Sequence, residues 1–98
     1  MHTYSYELDE KIEKHLSFID YITEYWQKQG WLELYGKEYV HWLLEFLVVD
    51  ILSFETKRAN EHLAVLNKHF IKYDLERYLD TVSPADKTLA NAVKKGHV

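Results

Sequence analysis

The chain has 98 residues, of which 47% are hydrophobic and 29% charged, and these proportions predict one small soluble domain with its own apolar core. The absence of cysteine excludes disulfide frameworks and thiolate metal sites, and three glycines with one proline supply few of the turn residues that a β-sheet needs. We therefore predict an all-α fold, a compact bundle of four to five helices, and expect it in the cytoplasm.

The net charge of −4 hides an asymmetry between the two halves of the chain. Residues 1–55 carry eleven acidic and four basic side chains, whereas residues 56–98 carry five acidic and eight basic ones. Such an acidic first half makes nucleic acid a poor partner. The longest apolar-rich run, residues 40–54, is too short to span a membrane and contains Glu45 and Asp50. We expect no membrane span, while peripheral membrane association of a longer parent protein stays open.

The first helix is predicted to begin within residues 5–9 and to run to Gln29. Apolar residues recur at steps of three and four, which places them on one helix face. They are Leu8, Ile12, Leu16, Ile19, Ile22 and Trp26. Gly30 suits the left-handed conformation that ends a helix. Because Trp31 resumes the pattern at once, the next helix should lie antiparallel, with Trp26 and Trp31 packed near the corner.

The second helix, about residues 37–54 with Leu32 as an alternative start, is the central apolar element of the predicted fold. Two rows of apolar residues cover most of its circumference, and its one polar stripe runs from Glu38 to Glu45. The next positions on that stripe, three and seven residues beyond Glu45, are Val48 and Leu52. The second half of this helix is therefore predicted to be covered all round, either by other helices of the chain or by a partner.

Shorter helices are predicted after a polar connection. The third helix has a clean apolar stripe of Ala59, Leu63, Leu66, Phe70 and Tyr73. Asp74 is expected to cap a short fourth helix. The last helix has the clearest boundaries, with Ser83 as N-cap, Pro84 at the first helical position and Gly96 just past the end.

No catalytic motif is present: the sequence lacks a Walker A loop, GxGxxG, HExxH and GxSxG. His62 and His69 lie two helical turns apart, about 10 Å, which is too far for one metal ion without other elements. We expect these histidines at the surface or the core edge. His41 and Glu45 have the spacing of a hydrogen bond or ion pair along one helix. We predict no catalytic, cofactor-binding or metal-binding residue, and no cofactor.

Aromatic residues are concentrated early in the chain, because twelve of the fifteen lie in the first 54 residues. Tyr and Trp suit both a core rim and a protein contact surface, so both interpretations stay open. Trp31, in the tight turn, is the aromatic residue most expected to be exposed. Together with Val48 and Leu52, Trp31 forms the predicted docking surface.

From about His15 onward, the order of segments resembles the C-terminal helical region that follows the catalytic domain in bacterial family-2 glycosyltransferases of cell-surface polysaccharide synthesis. Four segments carry the resemblance: IDYITEYWQKQG, WLELYGKEYVHWLLEFL, KHFIKYDLERYL and DKTLANAVKKGHV. Those enzymes place their Asp-x-Asp metal ligands in an N-terminal α/β domain, and this chain contains no Asp-x-Asp. The resemblance therefore implies a domain without transferase activity of its own.

Residues 1–98 are thus predicted to form one accessory C-terminal domain of a nucleotide-sugar-dependent glycosyltransferase at the cytoplasmic membrane face. The expected partner is the catalytic domain of the same protein or a second copy of the chain. The alternative is a stand-alone helical module for protein interaction or homodimerisation, unconnected with glycans. Whether the chain is a fragment or a complete protein stays open.

Overall fold

A computed structural model describes the backbone of residues 2–53 and 57–97 and the side chains of residues 7–52 and 57–97. The described residues form helices and turns and contain no β-strand, which confirms the predicted all-α bundle. None of the described helices combines the length and the apolar character that crossing a membrane requires.

The described residues contain five α-helices: α1 His2–Lys28, α2 Trp31–Leu43, α3 Val49–Ser53, α4 Ala59–Lys72 and α5 Lys87–Lys95. A π-helical turn, Leu44–Val48, joins α2 to α3 without leaving helical backbone, so residues 31–53 form one continuous central rod. Two short 3-10 turns, Glu76–Asp80 and Pro84–Asp86, connect α4 to α5. The predicted end of the central helix, Phe54, lies outside the described residues.

The core lies where α1, α4 and α5 meet the central rod. It is built from aliphatic side chains with Phe70, Tyr39 and Tyr73. Its fully buried members include Ile12, Leu43, Leu44, Leu47, Val48, Ile51, Leu63, Leu66, Phe70 and Val93. Each such side chain contributes about 1.5–3 kcal/mol when it leaves water. Because α5 packs against the π turn, the middle of the rod is the centre of this core.

The π turn explains why the polar stripe of the rod stops halfway. In a π turn the backbone hydrogen bonds join residues five apart instead of four. The residue that lies on the same face as Glu45 is therefore shifted one position further along the chain. Accordingly Val48 is 0% exposed, whereas Asp50, five residues after Glu45, is partly exposed. Leu47, Val48 and Ile51 in the second half of the rod are covered by the chain's own helices, whereas Val49, Asp50 and Leu52 stay partly exposed, so the predicted coverage all round holds only in part.

The helix ends agree with the local signals, with one exception. Gly30 and Gly96 have left-handed backbone with φ of 76° and 73°, and they close α1 and α5 as predicted. Ser83 and Pro84 begin a helical turn as predicted, but this turn is 3-10, Ser83 makes no side-chain capping bond, and α5 itself begins at Lys87. Asp74 was expected to cap the fourth helix, and this prediction is wrong. Its φ of 56° places it in the left-handed region just after α4, and Leu75 precedes the next helical turn instead.

Glycine is required at position 36 because an aromatic ring lies against the backbone there. Gly36 is buried, and a Cβ atom added to it would lie 2.4 Å from Cζ of Tyr78. The neighbouring Tyr35 leaves the helical region, with φ −126° and ψ 22°, so the first turn of the rod is kinked. The Tyr78 hydroxyl donates to the carbonyl of Leu32 at 3.4 Å, which ties the 3-10 turn to the same place.

The Gly36→Ala substitution should destabilise the fold by about 1–3 kcal/mol, because the added methyl group forces the Tyr78 ring to move. In a Tyr78→Ala background the clash is absent, and the same substitution should instead stabilise the helix by about 0.5–1 kcal/mol. Urea unfolding of the four proteins measures both values. Equal effects of Gly36→Ala in the two backgrounds would contradict this account.

Candidate functional site

An aromatic row follows the line of contact between α1 and the central rod. Ring centroids of successive members lie between 4.6 and 5.8 Å apart. The row consists of His15, Phe46, Trp42, Tyr39, Trp26, Trp31 and Tyr25. The predicted contact of Trp26 with Trp31 is confirmed, at 5.6 Å. All three tryptophans of the chain belong to this row.

The row is anchored in the core on one side and open on the other. Tyr39 is buried, whereas Tyr25, Trp42 and Trp31 keep 49%, 41% and 37% of their surface exposed. Trp31 is exposed, but it is not the aromatic residue that is most exposed, since Tyr21, Phe18 and Tyr35, which lie outside the row, keep 70%, 62% and 51% of their surface exposed. Exposed tyrosine and tryptophan side chains are typical of protein interaction sites. The open side of the aromatic row is therefore a candidate contact surface.

The three residues of the predicted docking surface do not come together. Val48 is fully buried because the π turn rotates it into the core, so its inclusion in an accessible surface is wrong. Leu52 is half-buried and lines a cavity of about 270 Å³ against α5. Along the rod, Trp31 and Leu52 are about 30 Å apart at 1.5 Å per residue. Trp31 belongs to the aromatic row, and Leu52 does not.

A chain of polar contacts crosses the core from the central rod to α4. The Tyr39 hydroxyl lies 2.6 Å from Oγ1 of Thr23, and the same oxygen lies 2.9 Å from Nε2 of His69. Nδ1 of His69 is 3.6 Å from Oδ1 of Asp20. Thr23, Tyr39 and His69 are buried. These four side chains, which we call the buried relay, link α1, the rod and α4.

The charge state of His69 determines which groups of the relay donate hydrogen bonds and which accept them. Burial lowers the pKa of His69, and the Asp20 carboxylate opposes this only in part, so the ring is neutral at pH 7. We assign its hydrogen to Nδ1, facing Asp20, which leaves Nε2 to accept from the Thr23 hydroxyl. Thr23 then accepts from Tyr39, whose pKa is raised by burial, so that this phenol keeps its proton. Every member of the relay thus has a partner.

Asp20 lies at the solvent end of the relay. Partial burial raises the pKa of Asp20, but hydrogen bonds from Lys72 and Tyr73 and the positive charge of Lys72 outweigh this and leave it lowered. Lys72 Nζ and the Tyr73 hydroxyl donate to Oδ1 of Asp20 at 3.3 and 3.1 Å. The ionised carboxylate therefore holds α1 against the end of α4.

Thr23, His69 and Asp20 repeat the hydroxyl, imidazole and carboxylate order of a catalytic triad. Their position excludes that role. Thr23 has no exposed surface and its hydroxyl already contacts Tyr39, so no substrate atom can reach its oxygen. The buried relay is therefore a structural element.

A second histidine also faces an aspartate of α1. Nε2 of His62 lies 3.0 Å from Oδ1 of Asp9, and both side chains are buried. His62 and His69 were expected at the surface or the core edge, and both lie inside, which corrects that expectation. Asp9 precedes His62 by 53 residues, so helix periodicity alone could not show the pairing.

His41 lies between two carboxylates. Its Nε2 is 2.7 Å from Oε2 of Glu45, which confirms the contact predicted from their spacing. Its Nδ1 is 2.8 Å from Oδ2 of Asp86, a residue 45 positions away that the sequence did not point to. Ser83 Oγ lies 3.5 Å from the same Asp86 oxygen. In the described part of the chain, this histidine with its two acids is the one such group whose ligand atoms, all within 4.8 Å of one another, fit around a metal ion.

No protein-family model matches the chain, and no curated protein or solved structure is detectably similar to it. The resemblance to the C-terminal region of glycosyltransferases therefore stays a prediction. Function has to be inferred from the geometry of the aromatic row, the buried relay and the His41 group.

The Thr23→Val substitution tests whether the relay stabilises the fold. Valine keeps the shape of threonine but leaves the Tyr39 hydroxyl and His69 Nε2 without a partner in the core. We expect a loss of about 1–3 kcal/mol in the free energy of unfolding, measured in urea. The exposed Thr88→Val is the matched control. A loss at Thr23 no greater than the loss at Thr88 would show that the relay contributes nothing.

The lowered pKa of His69 makes stability depend on pH. The unfolded chain binds the proton near the ordinary value of 6.5, and the folded chain binds it only at lower pH. The free energy of unfolding should therefore be full above about pH 6.5 and decrease as the pH falls from there through the folded pKa. The free energy of unfolding of the His69→Gln variant should decrease less over the same pH range. NMR titration of the ring protons measures the folded pKa, and a value at or above 6.5 would refute the assignment.

Part of the decrease should persist in His69→Gln. Burial and the charge of Lys11 also lower the pKa of His15, so this second ring contributes in the same direction. A His15→Gln, His69→Gln double variant should therefore show the weakest pH dependence between about pH 7 and pH 5.

Proposed function

We propose that this chain is a helical protein-interaction domain that binds its partner through the open side of the aromatic row. One observation carries the proposal: Tyr25, Trp31 and Trp42 remain 37–49% exposed although they belong to a continuous stack anchored by the buried Tyr39. Tyrosine and tryptophan are the side chains most often found at the energetic centre of protein interfaces.

The row suits binding because its rings are already held in place. Trp42 stacks on Phe46 with 4.9 Å between centroids and 9° between planes. Trp31 meets the edge of Trp26, at 5.6 Å. Side chains that are fixed before binding lose little conformational entropy when a partner covers them. More of the contact energy then appears as affinity.

Catalysis has weaker support among the described residues. Ser83, His41 and Asp86 are the residue types of a serine triad, but the Ser83 hydroxyl contacts the carboxylate instead of the ring. Nδ1 of His41 hydrogen-bonds Asp86, and its Nε2 lies 2.7 Å from Glu45. The Ser83 hydroxyl has no contact with the ring that would serve as its general base, and the hydroxyl of Thr23 is inaccessible.

The proposed partner is the catalytic domain of a glycosyltransferase that includes this chain, with a second copy of the chain as the alternative. The resemblance of four segments to glycosyltransferase C-terminal regions supports the first. The row lies on α1 and the central rod, within the half of the chain that carries eleven acids against four bases. A partner surface that is apolar with a basic rim would complement it.

Fluorine NMR of the domain labelled with fluorotryptophan tests this proposal. All three tryptophans lie in the row, so every fluorine resonance reports on the proposed surface. Adding the remaining, unlabelled region of the gene product should shift the Trp31 and Trp42 resonances if that region is the partner. Shifts that appear on concentrating the domain alone identify a second copy. Resonances unchanged in both experiments would contradict the proposal.

The Trp42→Ala variant should weaken docking by about 2 kcal/mol or more, because a central tryptophan is a typical binding hot spot. Ile71→Ala is the matched control, since Ile71 is 54% exposed on α4 and lies outside the row. Isothermal titration calorimetry, or sedimentation for self-association, gives both affinities. Equal affinity losses in the two variants would place the interface elsewhere.

A further inference from the structure

His41 lies beside two carboxylates that come from different parts of the chain. Nε2 lies 2.7 Å from Glu45 and Nδ1 lies 2.8 Å from Asp86. Of these two contacts, the one with Asp86 has the geometry of a hydrogen bond. An imidazole nitrogen with two carboxylate oxygens is a ligand set that suits divalent transition metals.

Asp86 shows a second feature of the same group. It occupies the N-cap position of α5, where an aspartate ordinarily accepts from a backbone N–H at the helix start. Its side chain makes no such bond and is directed at His41, with only 8% of its surface exposed. A buried carboxylate is unfavourable unless it is paired or coordinates a metal. Asp86 therefore forgoes its capping role for the contact with His41.

We propose that His41, Glu45 and Asp86 bind a divalent transition-metal ion of the zinc class. One ring nitrogen and one oxygen of each acid lie within 4.8 Å of one another. Zinc bonds of about 2.0–2.2 Å require a slightly tighter arrangement. His41 and Glu45 have side chains 56% and 52% exposed, which leaves them room to rotate onto the ion.

The ligand chemistry favours zinc over the hard divalent cations. Calcium and magnesium prefer oxygen ligands alone, whereas an imidazole nitrogen with carboxylate oxygens suits zinc and its neighbours in the first transition row. Three protein ligands leave a coordination position open. A cavity of about 380 Å³, lined by His41 with Lys37, Glu38 and Val82, opens beside the ring.

The ion would join two distant parts of the chain. His41 and Glu45 lie on the central rod, and Asp86 lies at the start of α5, 45 residues beyond His41. Binding to the folded state alone stabilises that state by mass action. The site is independent of the aromatic row, since none of its three ligands is a member of the row.

Calorimetric titration of the chelator-treated chain with zinc chloride tests the proposal. We expect one ion per chain and a higher unfolding temperature with zinc. His41→Gln and Glu45→Gln should each weaken binding by at least about tenfold. Both residues are exposed and the buried Asp86 is unchanged, so these variants should fold as the wild type does. Substitution of the exposed His97 by Gln and of Glu24 by Gln provides the controls, which should bind as the wild type does.

Cobalt in place of zinc gives a second readout, because its visible absorption reports the coordination geometry. The wild-type chain should show a tetrahedral spectrum that His41→Gln loses. Two results would overturn the proposal. In one, the wild-type chain binds no zinc. In the other, His41→Gln binds zinc as tightly as the wild type, and the ion lies elsewhere.

Discussion

The fold depends on one additional residue per turn in the middle of the central rod. Without the π turn at Leu44–Val48, the side of the rod that carries Glu45 would continue into Val48 and expose it. With the turn, Leu44, Leu47 and Val48 all lie in the core. Burial of three aliphatic side chains stabilises the fold by several kcal/mol. This exceeds the free-energy cost of one irregular helical turn, because the backbone groups of that turn still form hydrogen bonds. Glu45 stays at the surface beside His41, as their spacing of four residues along a helix predicts.

Polar contacts then determine how α1 and α4 sit on the rod. Apolar packing is not directional, whereas the buried relay and the pair of His62 with Asp9 fix both the rotation and the register of α4 on α1. A shift of α4 by one residue would leave buried imidazoles and carboxylates without partners, and each unpaired group is unfavourable by about 1–3 kcal/mol. Acid weakens this arrangement because protonation turns Nε2 of His69 into a hydrogen-bond donor. That nitrogen faces the Thr23 hydroxyl, which donates to it in the neutral relay.

Local signals in the sequence predicted local structure, and they failed where distant parts of the chain meet. Gly30, Gly96 and the Ser83-Pro84 pair act within a few residues, so their roles were readable. Val48 was misplaced because helix periodicity assumes a constant number of residues per turn, and the interruption of the polar stripe was the one visible trace of the π turn. Asp74 suits a helix start and a left-handed helix end equally well, so composition could not decide between them. The partners of the histidines, up to 53 residues away, leave no periodic signal.

The aromatic row and the His41 group occupy adjacent faces of the same short segment of the rod. His41 and Trp42 are consecutive, so their side chains diverge by about 100° around the helix axis. Trp42 joins the row against α1, whereas His41 faces the start of α5 through Asp86. Because the π turn that follows them is locked in the core, neither residue can move along the rod without disturbing Leu44 and Leu47. A ligand bound at the His41 group would therefore contact the same rigid segment that carries Trp42 of the aromatic row. Any energetic coupling between these two sites has to pass through the packing of that segment.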